Sequence, residues 1–438
     1  MTAQTVLSNG IFHGLPTFPD HDGKKFSAII TGANGITGAH MVRVLAESPQ
    51  RWETIYALSR KPPATEVAPN VKNLAIDFLT SPEEIAKVLK ENNVKADYVF
   101  FASYVQPPPK EGQGLWSDIE ELERVNMLLF TNFLNALTLS SIIPKRLLLQ
   151  TGGKHYGVHL GPTLSPQEES DPRFHGEPNF YFPQEDFLWE WSRANNTTWN
   201  VTRPGFIIGA VREAAMNIAY GLAVFASVQK ELGLGLPFPG EVAAWDVEKH
   251  LSSAKLIAYH AEWAVLSAAA ADQVLNISDG GLFAYGKFWP VLAKRYGIEY
   301  GTPELDEAKF QMIQMPVAPP PRGFGPAGKV KIGWSFEEWA RKPEVVEAWT
   351  AIKKRYAITE LKDPFSGQNV KDVFGLLDGE LLGGWARSMS MGKSRKLGWH
   401  GFVDTKEGIF DAIQEMADLK MLPPLEKAGG GEIKYHGY

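Results

Sequence analysis

Short apolar runs alternate with amphipathic stretches through the first half of the chain, which predicts strands and helices in turn. The runs that predict strands cover residues 26–32, 54–60, 73–79, 97–103, 146–152 and 199–204. Between them, apolar residues recur at helical spacing, and one such stretch begins with Ser81 as a helix N-cap and Pro82 at the first helical position. Strands that alternate with helices form a parallel sheet covered on both faces. The pattern therefore predicts an α/β protein with a doubly wound parallel sheet.

The second half of the chain has a less regular pattern. Residues 216–271 carry mainly helical periodicity, and one further strand-like run covers residues 274–280. A segment rich in proline and glycine, residues 315–328, predicts a surface loop, and the tryptophan-rich stretch after it predicts helices. We therefore expect a smaller, mostly helical region after the sheet, with some of its strands returning to that sheet.

Composition narrows the class of protein. The chain has 438 residues, of which 44% are hydrophobic, and this suffices for a large core. A formal net charge of -6 without a basic stripe predicts no nucleic-acid partner, and the absence of cysteine excludes disulfides and cysteine-ligated zinc. The first residues lack the pattern of a signal peptide, and the uncharged stretches at 125–144 and 214–228 are interrupted by asparagine or too short to span a membrane. We expect a cytoplasmic protein with no membrane partner, and a homodimer stays open.

A glycine-rich loop, "TGANGITG", directly follows the first predicted strand of the sheet and precedes an amphipathic helix. Glycines at this spacing allow a turn with positive φ, let the backbone approach a pyrophosphate and let the helix pack close to the sheet. The start of the helix then offers free N–H groups to a phosphate. The loop therefore predicts dinucleotide binding. The contacts expected there are Gly32, Asn34, Gly35, Ile36, Thr37 and Gly38.

The residues at the end of the second predicted strand indicate which of the two nicotinamide cofactors is bound. Enzymes that prefer NAD usually carry an acidic residue there, whereas this chain has Ser59, Arg60 and Lys61. Two cations suit a 2′-phosphate, so we predict NADPH, although the two could also be a solvated loop pair. Asp77 could accept a hydrogen bond from the adenine or could belong to a turn. Further cofactor contacts are expected near strand ends, at Phe78, Ala102, Ser103, Tyr104, Pro204 and Ile207.

The catalytic pair of ordinary short-chain dehydrogenases is missing. These enzymes carry Tyr-x-x-x-Lys on one helical turn, where the lysine lowers the phenol pKa from about 10. No tyrosine here has a lysine four positions later: Tyr181 is followed at that spacing by Glu185. Ordinary members, including sugar-nucleotide epimerases, are therefore disfavoured. His155 and His159 stand four residues apart, but the glycines around them indicate a loop, and we predict no metal site.

Two other motifs carry a resemblance to a known family. "TGGKHYG" (151–157) and "NFYFPQED" (179–186) resemble the hallmark motifs of the progesterone 5β-reductase/iridoid synthase-like (PRISE) family, which are atypical extended short-chain reductases. The resemblance extends over roughly residues 26–424. It implies that Lys154 and Tyr181 form the catalytic pair and also contact the cofactor. Phe182 stands where the family motif has a second tyrosine.

The segment after Lys154 departs from the plant members of the family. It lacks the aromatic residues with which those members line their substrate pocket, and it is more similar to fungal members. The substrate is therefore not implied by the resemblance. The residues expected to line a pocket are Tyr104, Leu160, Phe206, Met216 and Phe225, of which the last three fit a core equally well.

These observations lead to one expected function and an alternative. We expect an NADPH-dependent reductase of an activated C=C or C=O bond in a hydrophobic small molecule of secondary metabolism, with Tyr181 stabilising the enolate or oxyanion. The alternative is an NADP-binding enzyme that catalyses a non-redox cyclisation or isomerisation. The expected organisation is a flexible N-terminal segment (1–24), an NADP-binding Rossmann domain (25–210), a substrate-binding region (211–425) and a tail (426–438).

Overall fold

A sheet of seven parallel strands forms the centre of the protein, which a computed structural model describes over residues 5–18, 23–63, 68–111, 113–212, 216–359, 362–382 and 384–425. Numbered along the chain, the strands are β1 (Val6–Asn9), β2 (Phe12–Pro16), β3 (Phe26–Thr31), β4 (Trp52–Ser59), β5 (Val71–Ala75), β6 (Tyr98–Phe101), β7 (Arg146–Gln150), β8 (Thr198–Pro204), β9 (Phe206–Ile208), β10 (Leu251–Ser253), β11 (Gln273–Ile277), β12 (Gln311–Gln314) and β13 (Lys329–Ile332).

Helices cover both faces of this sheet and build the second half of the chain. They are α1 (Ile36–Ala46), α2 (Pro82–Glu91), α3 (Ile119–Leu139), α4 (Tyr181–Asn195), α5 (Ile218–Glu231), α6 (Val242–Asp246), α7 (Ala254–Leu266), α8 (Tyr285–Tyr296), α9 (Phe336–Ala340), α10 (Pro343–Tyr356), α11 (Leu376–Leu381), α12 (Gly392–Lys396) and α13 (Thr405–Asp418). Short 3-10 turns lie at Gly153–Tyr156, Ala268–Ala270 and Glu307–Lys309, and a π-helical turn lies at Lys371–Gly375.

The order of the strands confirms the predicted doubly wound sheet. Across the sheet the order is β11, β8, β7, β6, β3, β4, β5, and each neighbouring pair is parallel. The chain reverses its direction of travel across the sheet between β3 and β6, and such a switch point leaves a crevice at the carboxyl ends of the strands. α2 begins as predicted, since Ser81 and Glu84 form a capping box. The largest boundary error is β5, which ends at Ala75 because residues 76–80 turn away.

Residues 6–16, within the segment expected to be flexible (1–24), form a regular element. β1 and β2 pair as an antiparallel hairpin, and the Phe12 and Leu15 side chains are buried against the core. The backbone of His13 also exchanges two 2.9 Å hydrogen bonds with Phe402 near the other end of the chain. The sequence did not predict this hairpin, because the residues against which it packs are distant in sequence.

The second half returns one strand to the main sheet, as the run at 274–280 predicted. This strand, β11, pairs with β8 at the sheet edge, while β9 and β10 form a separate parallel pair. α5 is buried along almost its whole length and packs in an aromatic core. The loop at 315–328 joins β12 and β13, an antiparallel pair that the sequence did not predict.

The predicted tail (426–438) lies outside the described residues. Within the part of the chain that the structure describes, none of the helices combines the length and the apolar character that a membrane crossing requires.

Candidate functional site

The glycine loop lies in the crevice between β3 and β6. Gly32 has a φ of 65°, and a Cβ atom there would lie 2.7 Å from the carbonyl oxygen of Ala102 at the end of β6. A Cβ atom on Gly38 would collide with the Gly32 carbonyl group. Only glycine fits at these two positions, so the loop is held tightly against the adjoining strand and leaves the helix start facing the crevice.

The start of α1 is built for an anion. α1 begins at Ile36 after Gly35, its first turn carries no acidic residue, and no described side chain caps it. The first N–H groups of a helix have no acceptor within it and carry the positive end of its dipole. Nε2 of Gln150, at the end of β7, donates to the Thr37 hydroxyl at 2.8 Å. These features fit the pyrophosphate of a dinucleotide.

The predicted cations lie beside the same loop. Nδ2 of Asn34 donates to the carbonyl oxygen of Lys61 at 2.9 Å, and the Ser59 hydroxyl donates to the same oxygen at 2.6 Å. The side chains of Arg60 and Lys61 are exposed. Asn34 thus joins the glycine loop to the backbone that follows β4, where Arg60 and Lys61 lie.

Asp77 and Phe78 have different surroundings. The Asp77 side chain is exposed and accepts a hydrogen bond from the backbone N–H of Leu79 at 3.0 Å, so it shapes the turn after β5. The Phe78 ring is buried and packs against Phe101 and Phe133 in the core. The carboxylate of Asp77 is therefore open to a ligand, whereas the Phe78 ring is core.

Lys154 lies in the 3-10 turn that directly follows β7. Its side chain is half-buried, and its Nζ atom lies 3.5 Å from the centre of the Trp116 ring. Burial lowers the pKa of Lys154 to about 7, and the nearby Glu177 carboxylate partly opposes that shift. Glu177 itself is bonded to Nε2 of His159 at 2.5 Å. Lys154 can therefore change charge near neutral pH.

Tyr181 is the first residue of α4, and its side chain reaches back to the end of β7. Its hydroxyl oxygen lies 3.1 Å from the point that a Cβ atom on Gly152 would occupy. The carbonyl oxygen of Pro204, where β8 ends, lies 3.7 Å from that same point, and Ile207 follows in β9. Burial raises the pKa of the Tyr181 phenol, so the hydroxyl is neutral and can donate a hydrogen bond. The structure brings Lys154 and Tyr181 to one strand end.

An aromatic cluster connects these two residues. The indole N–H of Trp116 donates to the Tyr104 hydroxyl at 3.2 Å. The Tyr104 ring lies 5.9 Å from that of Phe180, which in turn lies 4.6 Å from the Tyr181 ring. Tyr104 therefore lies in one aromatic cluster with Tyr181, just after the end of β6, with Ser103 before it. Trp116 and Phe180 were missed: Phe180 lies within the motif at 179–186, but Trp116 lies in an irregular loop with no local signal.

Glu185, near the end of the "NFYFPQED" motif, forms buried ion pairs. Glu185 is buried and accepts hydrogen bonds from Arg203 at 3.0 Å and from Arg173 at 3.1 Å. Nδ1 of His155 lies 3.5 Å from the same carboxylate. Burial and the two guanidinium groups lower the pKa of His155 to about 2, so the imidazole is neutral. This cluster braces α4 against β8 beneath the site.

The predicted pocket residues divide between the site and the core. Leu160 is buried in the loop after the 3-10 turn. Phe206 and Met216 are half-buried and pack against the core of the second half. Phe225 is fully buried, with its ring 4.8 Å from that of Trp339. Phe225 was expected to lie either in the pocket or in the core, and its surroundings match the core.

Known proteins are similar to this chain in sequence and in fold. A family described as a PRISE-like Rossmann-fold domain matches residues 28–314. The "Short chain dehydrogenase gsfE" of Penicillium aethiopicum is 30% identical over 91% of this chain and 99% of its own length. The "(S)-8-oxocitronellyl enol synthase" of Catharanthus roseus is 27% identical over 91% and 93%. A UDP-glucose 4-epimerase structure from Thermotoga maritima covers 90% of this chain and 99% of its own with a TM-score of 0.55 at 13% identity, which shows a shared fold.

Proposed function

This chain belongs to the PRISE-like family of Rossmann-fold proteins, and we propose that it is an NADPH-dependent reductase of an activated C=C or C=O bond in a hydrophobic small molecule. It is an enzyme of the NAD(P)-dependent short-chain dehydrogenase type. The observation that supports the proposal most is the position of Lys154 and Tyr181 at the end of β7, beside the crevice that holds the glycine loop.

The neutral phenol of Tyr181 suits the charge that such a reduction develops. Bound NADPH would supply a hydride, which an α,β-unsaturated carbonyl compound accepts at its β-carbon. Negative charge then develops on the carbonyl oxygen, and a hydrogen bond from Tyr181 stabilises it, a contribution of about 3–4 kcal/mol for one well-placed donor. The enolate takes a proton from solvent at its α-carbon. Because burial holds the proton on Tyr181, this site favours reduction over alcohol oxidation, which would need the phenolate as a base.

Lys154 would bind the nicotinamide ribose and add positive potential beside Tyr181. Because its pKa is lowered, the Lys154 amine is partly neutral in the cofactor-free protein. The anionic groups of a bound cofactor favour its charged form. The preference for NADPH is supported by the exposed Arg60 and Lys61 and by the lack of an acidic residue at the end of β4. The name of the Catharanthus roseus relative describes an enzyme that makes an enol, which is the protonated form of such an enolate.

The test follows NADPH consumption and product mass together. Purified protein is incubated with NADPH and a panel of apolar enones, enals, ketones and aldehydes. We expect NADPH oxidation matched by a product that has gained two hydrogens. Tyr181→Phe and Lys154→Ala should each lower the rate by about 100-fold. Tyr296→Phe, which removes a buried hydroxyl from the core of the second half, is the matched control and should keep the wild-type rate.

The same assay distinguishes a reductase from the alternative, a non-redox enzyme. A product of unchanged mass that forms while NADPH is not consumed would indicate a cyclisation or isomerisation and would refute the reductase. Wild-type rates in both Tyr181→Phe and Lys154→Ala would refute the assigned pair.

A further inference from the structure

One side chain contacts both members of the proposed pair. Asn179 lies two residues before Tyr181 and is half-buried. Its Nδ2 atom donates to the backbone carbonyl oxygen of Lys154 at 3.2 Å, and its Oδ1 atom accepts from the backbone N–H of Tyr181 at 3.1 Å. A carbonyl oxygen can only accept and an N–H can only donate, so the two partners fix the orientation of the amide.

The chain between these two residues forms no helix or strand that would fix their distance. Residues 157–180, all of which the structure describes, run from the 3-10 turn to α4 without a helix or a strand. In ordinary short-chain dehydrogenases a single helical turn sets the distance between tyrosine and lysine. Here the lysine and the tyrosine come from two elements that only tertiary contacts hold together. Both hydrogen bonds of Asn179 end on the backbone of the two residues themselves.

We propose that Asn179 is the positioning residue that holds Lys154 and Tyr181 in register, in place of the helical turn that joins such a pair elsewhere. This inference deepens the proposed function and rests on it. The amide fixes the carbonyl group of the 3-10 turn, and thereby the direction in which the lysine side chain leaves the backbone. It also accepts a hydrogen bond from the backbone N–H of Tyr181, the first residue of α4, whose side chain is the phenol.

Two variants separate these contacts. Asn179→Ala removes both hydrogen bonds. Asn179→Ser keeps a short side-chain acceptor that can cap the start of α4, but it cannot reach the carbonyl oxygen of Lys154. Both variants should lower kcat by about 10- to 100-fold with a smaller change in KM, since a displacement of about 1 Å costs that much in a positioned site. Asn369→Ala is the matched control: its amide donates to the Asp363 carbonyl oxygen at 2.8 Å in a distant loop, and kcat should not change.

A second readout needs neither cofactor nor turnover. Amine labelling of Lys154 in the free protein is followed by mass spectrometry as a function of pH. The wild-type residue should label near neutral pH because it is held in its buried position. Asn179→Ala and Asn179→Ser should release the 3-10 turn, expose the ammonium group to water and move labelling by at least one pH unit towards that of an ordinary lysine.

The outcomes divide clearly. A fall in kcat together with shifted labelling in Asn179→Ser supports the inference. Wild-type kcat in Asn179→Ser overturns it. Wild-type labelling of Lys154 also overturns it when the variant loses no more thermal stability than Asn369→Ala does. In either case Asn179 is only a structural cap. If the wild-type protein reduces no compound in the panel, the proposed function fails instead, and the labelling profile still tests Asn179 by itself.

Discussion

The ammonium nitrogen of Lys154 lies 3.5 Å from the centre of the Trp116 indole ring. Two effects on the charged form of Lys154 oppose each other. The face of the ring attracts the cation, whereas burial disfavours it. Burial prevails and lowers the pKa of Lys154 to about 7. The charge of the proposed catalytic lysine therefore depends on pH in a range where most lysines do not titrate.

This dependence predicts the pH profile of the reaction. The ammonium form is the active one, so kcat/KM for NADPH, which reports the cofactor-free protein, should be constant well below pH 7 and fall about tenfold for each pH unit above it. Lys154→Arg keeps a cation at every accessible pH, and its rate should lack this descending limb even if it is lower throughout. Steady-state kinetics between pH 5.5 and 9 measure both. A wild-type limb that persists in Lys154→Arg would assign the titration to another group.

Gly152 should be required for the position of the Tyr181 hydroxyl. A methyl group at Gly152 would lie 3.1 Å from that oxygen, whereas one at the neighbouring Gly153 meets only the Pro204 carbonyl oxygen at 3.6 Å. Gly152→Ala should therefore lower kcat by about 10- to 100-fold, and Gly153→Ala should lower it far less. Kinetics and thermal melting of the two variants are compared. Equal loss of activity in both would mean that the turn, rather than the phenol, is disturbed.

The choice of cofactor should depend on Arg60 and Lys61. Arg60→Asp removes a cation and introduces the acidic residue that NAD-dependent enzymes carry at this strand end. It should raise the Kd for NADPH by about 10- to 100-fold and change the Kd for NADH little or lower it. Titration of nicotinamide fluorescence measures both constants. Lys95→Ala, which removes an exposed charge elsewhere, is the control, and a similar change there would indicate only a general electrostatic effect.

A buried carboxyl group predicts a pH effect on stability. Asp279 is fully buried, its Oδ1 atom accepts from the backbone N–H of Ser253 at 2.6 Å, and burial raises its pKa to about 7. Between the unfolded and folded pKa values the folded protein binds more protons, so stability falls as pH rises towards 7. Asp279→Asn keeps the acceptor without the charge, and its gain in stability over wild type should be larger at pH 8 than at pH 5, by on the order of 2–3 kcal/mol. Melting curves that differ equally at both values would contradict this.

The parts of the fold that could be predicted are those encoded by neighbouring residues. The glycine loop follows β3 directly, and Ser81 with Glu84 forms a capping box, so each signal lies within a few positions. The N-terminal hairpin could not be predicted, because it packs on a distant part of the core and His13 bonds to Phe402 near the other end of the chain. The pair beside the loop at 315–328 was missed because β12 is exposed along its whole length and carries no pattern of buried apolar residues.

The candidate site likewise contains residues that local sequence predicted and residues that it could not predict. Lys154 and Tyr181 could be predicted because each lies in a recognisable motif, and the cations after β4 follow from their place at a strand end. Trp116 could not, since its position over Lys154 depends on an irregular loop and on a φ of 67° that no local pattern encodes. The bridging role of Asn179 likewise appears only once two distant elements are side by side.

Transfer of label from the cofactor tests the central claim most directly. NADPH that carries deuterium at both hydrogen positions of the reactive carbon of its nicotinamide ring is incubated with an enone that the protein consumes, and the product is examined by NMR. The account predicts one deuterium at the β-carbon of a saturated ketone, formed about 100-fold more slowly in Tyr181→Phe. A product free of deuterium would contradict it, because no hydride would then have passed from the cofactor to the substrate.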